Sequence, residues 1–520
     1  MTGISTPISN KEEGKSMQNH VLDYLDEIVK KVPEKTAYAD DEVSLTFRET
    51  NEISRSIGTW LSKQGIYRQP VVVFMKKSPR TIAAFFGVIQ SGCFYVPIDA
   101  EMPADRMHLI LENCKAEMLI CDKETLEAAE GLKYSGRIAL YQEICDFPAE
   151  DALLAGIRAQ ALDIDPVYIL FTSGSTGVPK GVCACHRSVL DYVEQLSDVM
   201  DFSEDTVFGN QTPLYVDACL KELYPTLKFG ATTYLIPHSC FLFPIKLVEY
   251  LNEKKINTIC WVASALIMVS AFGTFETVRP EYLRTVAFGS EVFPLKQFCL
   301  WKEALPEAKF VNLYGPTEGT GVCCHYTVTR DLEENEPIPI GFPFKNTQIL
   351  LLDEENRLAD EGEICIRGTG VTHGYYNNPE RTAESFVQNP LNTAYQEIIY
   401  RTGDIGRYNK HGELVFVSRK DYQIKHMGHR IELGEIEAGA NLLETVKMSA
   451  CIYDAEKNKI ILYYVGGETP AGIMGRLKEK LPRYMLPNKV VQMEQLPFTA
   501  NGKIDRKTLQ KKRIDNCETV

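Results

Sequence analysis

The sequence predicts an α/β protein: a large amino-terminal domain of mixed, largely parallel sheets and helices that includes a β subdomain, then a small α+β domain. Three observations carry this reading. From Val21 to about Val417, stretches of helical period alternate with short, unbroken apolar runs, the pattern of buried strands joined by helices. Between residues 340 and 417 the runs shorten and are bounded by glycine-containing turns. From Ser418 onward the chain becomes a turn-rich segment, a strand and a helix over about a hundred residues, the usual size of a small domain.

Taken in order, residues 1–20 contain MTGISTPISNKEEGKS, which is rich in Ser, Lys and Glu, has no apolar secretory segment, and reads as a loose leader. HVLDYLDEIVKKV and PLKQFCLWKEAL carry helical periodicity, whereas Val71-Val72-Val73-Phe74, Met118-Leu119-Ile120 and residues 232–236 read as strands. Glu363-Ile364-Cys365-Ile366 and Glu413-Leu414-Val415-Phe416 are the short strands of the β subdomain. The turn-rich SRKDYQIKHMGHRIELGEIEAG precedes a strand over 459–465 and a helix over 473–481. The expected units are therefore 21–417 and 418–520.

Composition narrows the class of function. At 520 residues, 44% hydrophobic and 24% charged, the chain has the make-up of a globular protein able to bury a large core. A net charge of −14 argues against a general nucleic-acid surface. No apolar stretch approaches the ~18 residues that a membrane span needs. The 15 cysteines are odd in number and scattered among core-like positions such as Cys93, Cys240, Cys260 and Cys299. Cys183/Cys185 and Cys323/Cys324 lack partner pairs at zinc spacing, so the expectation is reduced thiols in a cytoplasmic protein.

The clearest chemical feature is YILFTSGSTGVPKGV at 168–182, an apolar run that passes into a Gly/Ser/Thr-dense loop and ends at Lys180. Glycines let consecutive N–H groups turn inward as an anion nest, and hydroxyls add donors. Thr172, Ser173, Gly174, Ser175, Thr176, Gly177 and Lys180 are thus candidates for holding a polyphosphate. A Walker loop is excluded by spacing, since Pro179 precedes the lysine and Gly181 follows it. Standing alone, such a loop could equally be a plain surface turn.

Distant segments in a fixed order decide between these. TSGSTGVPKG resembles the phosphate loop of the adenylate-forming superfamily. The likeness extends through Gly92-Cys-Phe-Tyr-Val-Pro97-Ile-Asp99, Asn312-Leu-Tyr314-Gly315-Pro316-Thr317-Glu318, Gly362-Glu363, Gly374-Tyr375 and Tyr400-Arg401-Thr402-Gly403-Asp404. It continues through Arg419-Lys-Asp421, Gln423-Ile-Lys425, Gly428-His-Arg430-Ile-Glu432 and Asn501-Gly502-Lys503-Ile-Asp505-Arg506.

The resemblance implies that ATP and Mg²⁺ serve the reaction, with Glu318 holding the metal and Thr317 bonding the α-phosphate. It implies that Tyr314 packs on adenine beside Gly315, that Asn312 meets the amino edge, and that Asp404, with Arg419 near, accepts the ribose hydroxyls. Lys503 would bridge the carboxylate and the α-phosphate. The small domain would be mobile, hinged near Asp421, and would bring Lys425 and Gly428 to the incoming thiol. Ser418 stands where the family usually has glycine.

Asp217, in PLYVDACLKEL, matches the position at which amino-acid-activating members carry a carboxylate for the α-ammonium group. A helix N-cap is the plainer alternative. Ungapped matching then lines the side-chain pocket with Ala218, Lys221, Cys260, Ala287, Gly289, Leu313, Gly321 and Val322. Lys221 suits an acidic amino acid such as glutamate if it points inward; it could instead snorkel out or pair with Glu222 or Glu291.

The expected function is aminoacyl-AMP formation and transfer to the phosphopantetheine thiol of a carrier protein in trans, or to coenzyme A, as in a stand-alone nonribosomal-peptide-synthetase adenylation domain. A D-alanine–carrier protein ligase, an acyl-CoA synthetase and a catalytically silent scaffold homologue are the alternatives. Neither nucleic acid nor membrane insertion is expected.

Overall fold

The computed structural model describes residues 18–174, 178–333, 336–420, 423–455, 457–498 and 504–515. Ser175, Thr176, Gly177, Asp421 and Lys503 lie outside the described residues.

Two sheets form the body. In the larger, of nine strands, six lie side by side in parallel: Lys309–Tyr314, Thr285–Gly289, Thr258–Val262, Val207–Asn210, Thr232–Leu235 and Thr36–Ala39. The second, of six strands, is parallel through Arg137–Leu140, Met118–Cys121, Pro70–Phe74, Phe94–Pro97 and Pro166–Thr172, and Lys180–Cys185 closes it antiparallel. The strand Pro70–Phe74 is buried along its whole length, as its valine run requires when helices cover both faces.

Helix Asp23–Lys31 shows the residue-level logic. Tyr24, Leu25 and Ile28 face the core, Asp23 and Asp26 sit in the first turn, and Lys30 and Lys31 in the last, matching the helix dipole. Helix Phe47–Lys63 opens with a capping box in which Thr46 and Glu49 satisfy each other's backbone N–H groups.

The β subdomain is a five-stranded antiparallel sheet that includes Thr347–Leu352, Glu361–Gly368, Ile398–Tyr408 and Leu414–Arg419. Its last strand runs on through Ser418 and Arg419, which pair with Ile405 and Asp404. The segment read as turns is instead ordered: Gln423–His426 and His429–Glu432 form a hairpin, and Leu433–Asn441 is a helix. The two strands of the 423–432 stretch have only four residues each and do not alternate buried with exposed positions, so they carry no periodic signal. Val446–Asp454, Lys459–Gly466 and Lys489–Gln492 make the last sheet, around a separate core of Ile431, Ile436, Leu462, Tyr464 and Leu477.

The hairpin and its helix dock on the body. Arg106 pairs with Glu435, both buried. His429 stacks on Tyr484 at 3.7 Å within the small domain, and Gly428 N–H crosses to the body, donating to Glu291 Oε1 at 2.9 Å. Gly428 has φ +80°, and a Cβ there would stand 2.7 Å from Val262 Cγ1, so glycine is required twice over.

Candidate active site

The phosphate loop joins Pro166–Thr172 to Lys180–Cys185, two antiparallel strands in which Thr172 faces Lys180. A Walker loop would lead into a helix; this one is followed by a strand. The chain pinches at Gly174, where a Cβ would stand 2.0 Å from Val178 O. Lys180 is buried, with its Nζ 3.7 Å from Glu432 and 5.3 Å from the Tyr375 ring centroid. Burial and the nearby Arg430 charge pull its pKa down to about 8, against the raising pull of Glu318 and Glu432.

Across the cleft, Lys309–Tyr314 delivers Asn312 and Tyr314. Asn312 donates its amide to Pro339 O at 2.8 Å, which leaves its side-chain carbonyl as an acceptor. Tyr314 donates to Asp404 Oδ2 at 2.5 Å, and Arg419 donates to Asp404 Oδ1 at 2.5 Å. Lys425, half-buried, sits 5.6 Å over the Tyr314 ring. Gly315 cannot be larger, because a Cβ would lie 2.6 Å from Val322 Cα.

Glu318 is completely buried. Its Oε1 accepts from Tyr375 OH at 2.7 Å and its Oε2 from Arg430 Nη1 at 2.6 Å. Burial opposes its charge, yet Arg430, Lys180 and the Tyr375 bond outweigh that and hold its pKa at about 2. Among the described residues no group of three or more His, Cys, Asp or Glu side chains could hold a metal. The donor set fits a hard cation carried mainly by phosphate oxygens, for which one carboxylate suffices.

A cavity between the body and the hairpin is lined by Thr172, Ser173, Asp217, Thr317, Asp404 and Lys425, among others. A smaller pocket opens from it beside Asp217, Ala218, Lys221, Leu313, Gly321 and Val322. Asp217 begins a short 3-10 helix rather than capping Leu220–Phe229, whose N-cap, Cys219, makes no capping side-chain bond. Its carboxyl instead bonds Thr317; desolvation raises its pKa, and that bond and the Lys221 charge moderate the rise.

Lys221 is 5% exposed, so it does not snorkel outward. Glu291 is taken by Ser264 N–H and Gly428 N–H, and Glu222 Oε2 accepts from Asn210. Lys221 has no hydrogen bond or ion pair among the described residues, although it feels the charges of Asp217 and Glu222. Cys260 and Ala287 are buried side by side on neighbouring strands. Gly289 lies two residues on from Ala287, where a Cβ would be 2.2 Å from Leu313 O.

Sequence reasoning missed Tyr192, Ser290, Tyr375, Arg430 and Glu432. Tyr192 and Ser290 line the small pocket, and the buried Tyr192 hydroxyl has no partner. Tyr375, Arg430 and Glu432 stand in motifs that carried the resemblance, but only the fold brings them to Glu318 and Lys180.

The family model for AMP-binding enzymes matches residues 25–376. The chain belongs to the AMP-binding enzyme family. It is 33% identical over 489 residues to surfactin synthase subunit 1 of Bacillus subtilis, covering 90% of this chain and 13% of that protein. It is 31% identical over 507 residues to tyrocidine synthase 3 of Brevibacillus parabrevis, covering 95% of this chain and 8% of that protein. The chain therefore spans only a small part of these two curated relatives. Among solved structures, holo-PA1221, an NRPS protein containing adenylation and PCP domains bound to a vinylsulfonamide inhibitor, is 25% identical. Its TM-score is 0.82, over 95% of this chain and 84% of that one. The Vibrio cholerae adenylation domain AlmE, in complex with glycyl-adenosine-5'-phosphate, shares the fold at 20% identity and TM-score 0.83, over 99% and 100%.

Proposed function

We propose that this AMP-binding enzyme activates an α-amino acid with an acidic side chain, glutamate first among them, and passes the aminoacyl group to a carrier protein's phosphopantetheine thiol. One observation carries the substrate: half-buried Asp217 and buried Lys221 stand four residues apart, about one helical turn, and line the same small pocket. An α-ammonium would answer Asp217, and a side-chain carboxylate would answer Lys221 and the unpartnered Tyr192 hydroxyl.

In this reading Tyr314, Asn312 and Asp404 with Arg419 hold the adenosine, while Ser173, Lys180 and the loop amides hold the phosphates. Glu318, freed from Arg430, holds Mg²⁺, which neutralises charge on the phosphates when bound. Thr317 touches both the Asp217 carboxyl and the site of the α-phosphate, tying amino-acid placement to the reacting phosphorus. Lys503 brings a cation to the carboxylate–phosphate junction. Lys425 and Gly428 then serve the thiol step.

A second reading has one observation in its favour. The small pocket encloses only about 20 Å³, room for little more than a water, which suits a substrate such as D-alanine. ATP–pyrophosphate exchange with Mg²⁺ against L- and D-alanine, glycine, glutamate, aspartate, a benzoate and a fatty acid tests both. Exchange led by glutamate or aspartate supports the acidic reading, and exchange led by D-alanine replaces it. Exchange led by a non-amino acid removes the role given to Asp217.

A further inference from the structure

Glu222 stands next to the small pocket without lining it. It follows Lys221 on helix Leu220–Phe229, and neighbours on a helix point about 100° apart, so Lys221 turns to the pocket and Glu222 away from it. Glu222 is completely buried. Its Oε2 accepts from Asn210 Nδ2 at 3.2 Å, while its Oε1 and Asn210 Oδ1, both buried, have no donor. The charges of Lys221 and Lys77 act on Glu222, yet among the described residues neither lysine forms an ion pair with it. Lys77, in the loop between Pro70–Phe74 and Pro79–Gln90, donates instead to Asn210 O at 3.1 Å and Gln211 O at 3.2 Å. The other titratable groups that face Glu222 are Tyr192 on helix His186–Met200, Cys219 in the 3-10 turn and Cys260 on strand Thr258–Val262. Burial raises the pKa of all three, so they stay neutral.

An ionised carboxylate offers only acceptors, and here a single amide N–H would match it beside a carbonyl that also lacks a donor. A protonated carboxyl adds the donor that this corner is missing. Burial, against the pulls of Lys221, the Asn210 bond and Lys77, pushes the Glu222 pKa up to about 8, in agreement with that chemistry. We propose that Glu222 is a positioning residue that carries a proton at neutral pH, bonds Asn210 as an acid, and so leaves the Lys221 charge to the substrate. An ionised Glu222 would be an internal counter-ion for Lys221, in competition with the side-chain carboxylate of an acidic amino acid. This consequence for specificity deepens the acidic-substrate reading and rests on it; the proton on Glu222 does not.

Infrared difference spectra of the full chain against Glu222→Gln, an isostere of the acid form, read the proton directly at pH 7. The carbonyl stretch of a protonated carboxyl is expected in the wild type, shifting in heavy water, and is expected to be missing from the variant. Its absence from the wild type overturns the proposal whatever the substrate. ATP–pyrophosphate exchange with glutamate and with alanine between pH 7 and 9 reads the consequence. In the wild type the glutamate-to-alanine ratio of kcat/KM is expected to fall about tenfold, as does the neutral fraction of a group that titrates near 8. In Glu222→Gln the ratio should match the wild type at pH 7 and stay flat. Lys77→Met removes a charge that favours ionisation of Glu222, so the fall should move to higher pH. Loss of the fall in Lys77→Met would assign it to Lys77 and overturn the role of Glu222. A ratio that rises in Glu222→Gln at pH 7 would mean that an ionised Glu222 already competes for Lys221, which also overturns the proposal. A wild type that exchanges alanine but no acidic amino acid sinks the acidic reading, and the infrared band still decides the proton.

Discussion

The nucleotide corner and the small pocket beside it are built from similar residues and treat them differently. In the corner, Asp404 binds Tyr314 and Arg419, and Glu318 binds Tyr375 and Arg430. In the pocket, Lys221 and the Tyr192 hydroxyl are as deeply buried, yet neither has a hydrogen-bond partner among the described residues. Burying an unmatched polar group costs free energy that a folded chain normally avoids. The two carboxylates of the corner are thus matched by side chains of the protein itself, whereas the pocket holds a buried cation and a buried hydroxyl without such partners.

The sharpest way to break this comparison is to remove the one cation assigned to the reacting junction. Lys503→Ala is expected to slow adenylation ~100-fold or more, with thiol transfer from preformed adenylate largely kept. Pyrophosphate exchange and single-turnover transfer, measured side by side, check this; equal survival of both steps would remove Lys503 from its role. Next comes Asp217→Ala, expected to lower kcat/KM for the amino acid about 100-fold, since it deletes the charge that answers a buried ammonium. Kinetics over a range of amino acid concentrations decide it, and an unchanged kcat/KM would end the α-ammonium argument.

Smaller effects sharpen the pocket. Lys221→Met is expected to cost about tenfold against glutamate while sparing or improving alanine, because only the acidic side chain loses its partner. Tyr192→Phe should move the same ratio in the same direction by less. A parallel loss for both substrates would mean that these residues only support the wall.

A remote pair supplies the contrast in stability. His20 and His186 stack at 4.0 Å, and His186 Nδ1 accepts from Val21 N–H at 3.2 Å. Burial, then the Arg158 charge, lowers the His186 pKa from 6.5 to about 3. Because the folded value lies below the unfolded one, the unfolded chain binds the extra proton between those limits. Stability is therefore full above pH 6.5 and falls as the pH drops towards 3, by about 2 kcal/mol at pH 5 from His186 alone. Urea midpoints between pH 7 and 5 test this: His186→Phe should flatten the dependence without altering the ranking of substrates, and an unchanged slope would contradict it.

Much of the architecture was legible in the chain because it rests on local signals. Long apolar runs such as Val71-Val72-Val73-Phe74 have to be buried strands, and Pro70–Phe74 is one. The 423–432 hairpin was not legible, because its strands are too short to show a period and its Arg430 and Glu432 meet partners from the large domain. The ordered motifs placed Tyr314, Asp404 and Glu318 in one site; in the fold Tyr314 bonds Asp404, and Glu318 bonds Tyr375 and Arg430.

By itself, then, the sequence determined the α/β class, the phosphate loop and the family, since each follows from residue types at fixed spacing. Only the tertiary structure decided where the long side chains go. Lys221 could have reached solvent, Glu222 or Glu291; packing buried it at the pocket and engaged those carboxylates with Asn210, Ser264 and Gly428. Arg430 could have been an exposed hairpin residue, and domain docking carried it to Glu318, 112 positions earlier in the chain. A flexible side chain reaches many partners, and which one it meets is settled by surfaces distant in sequence.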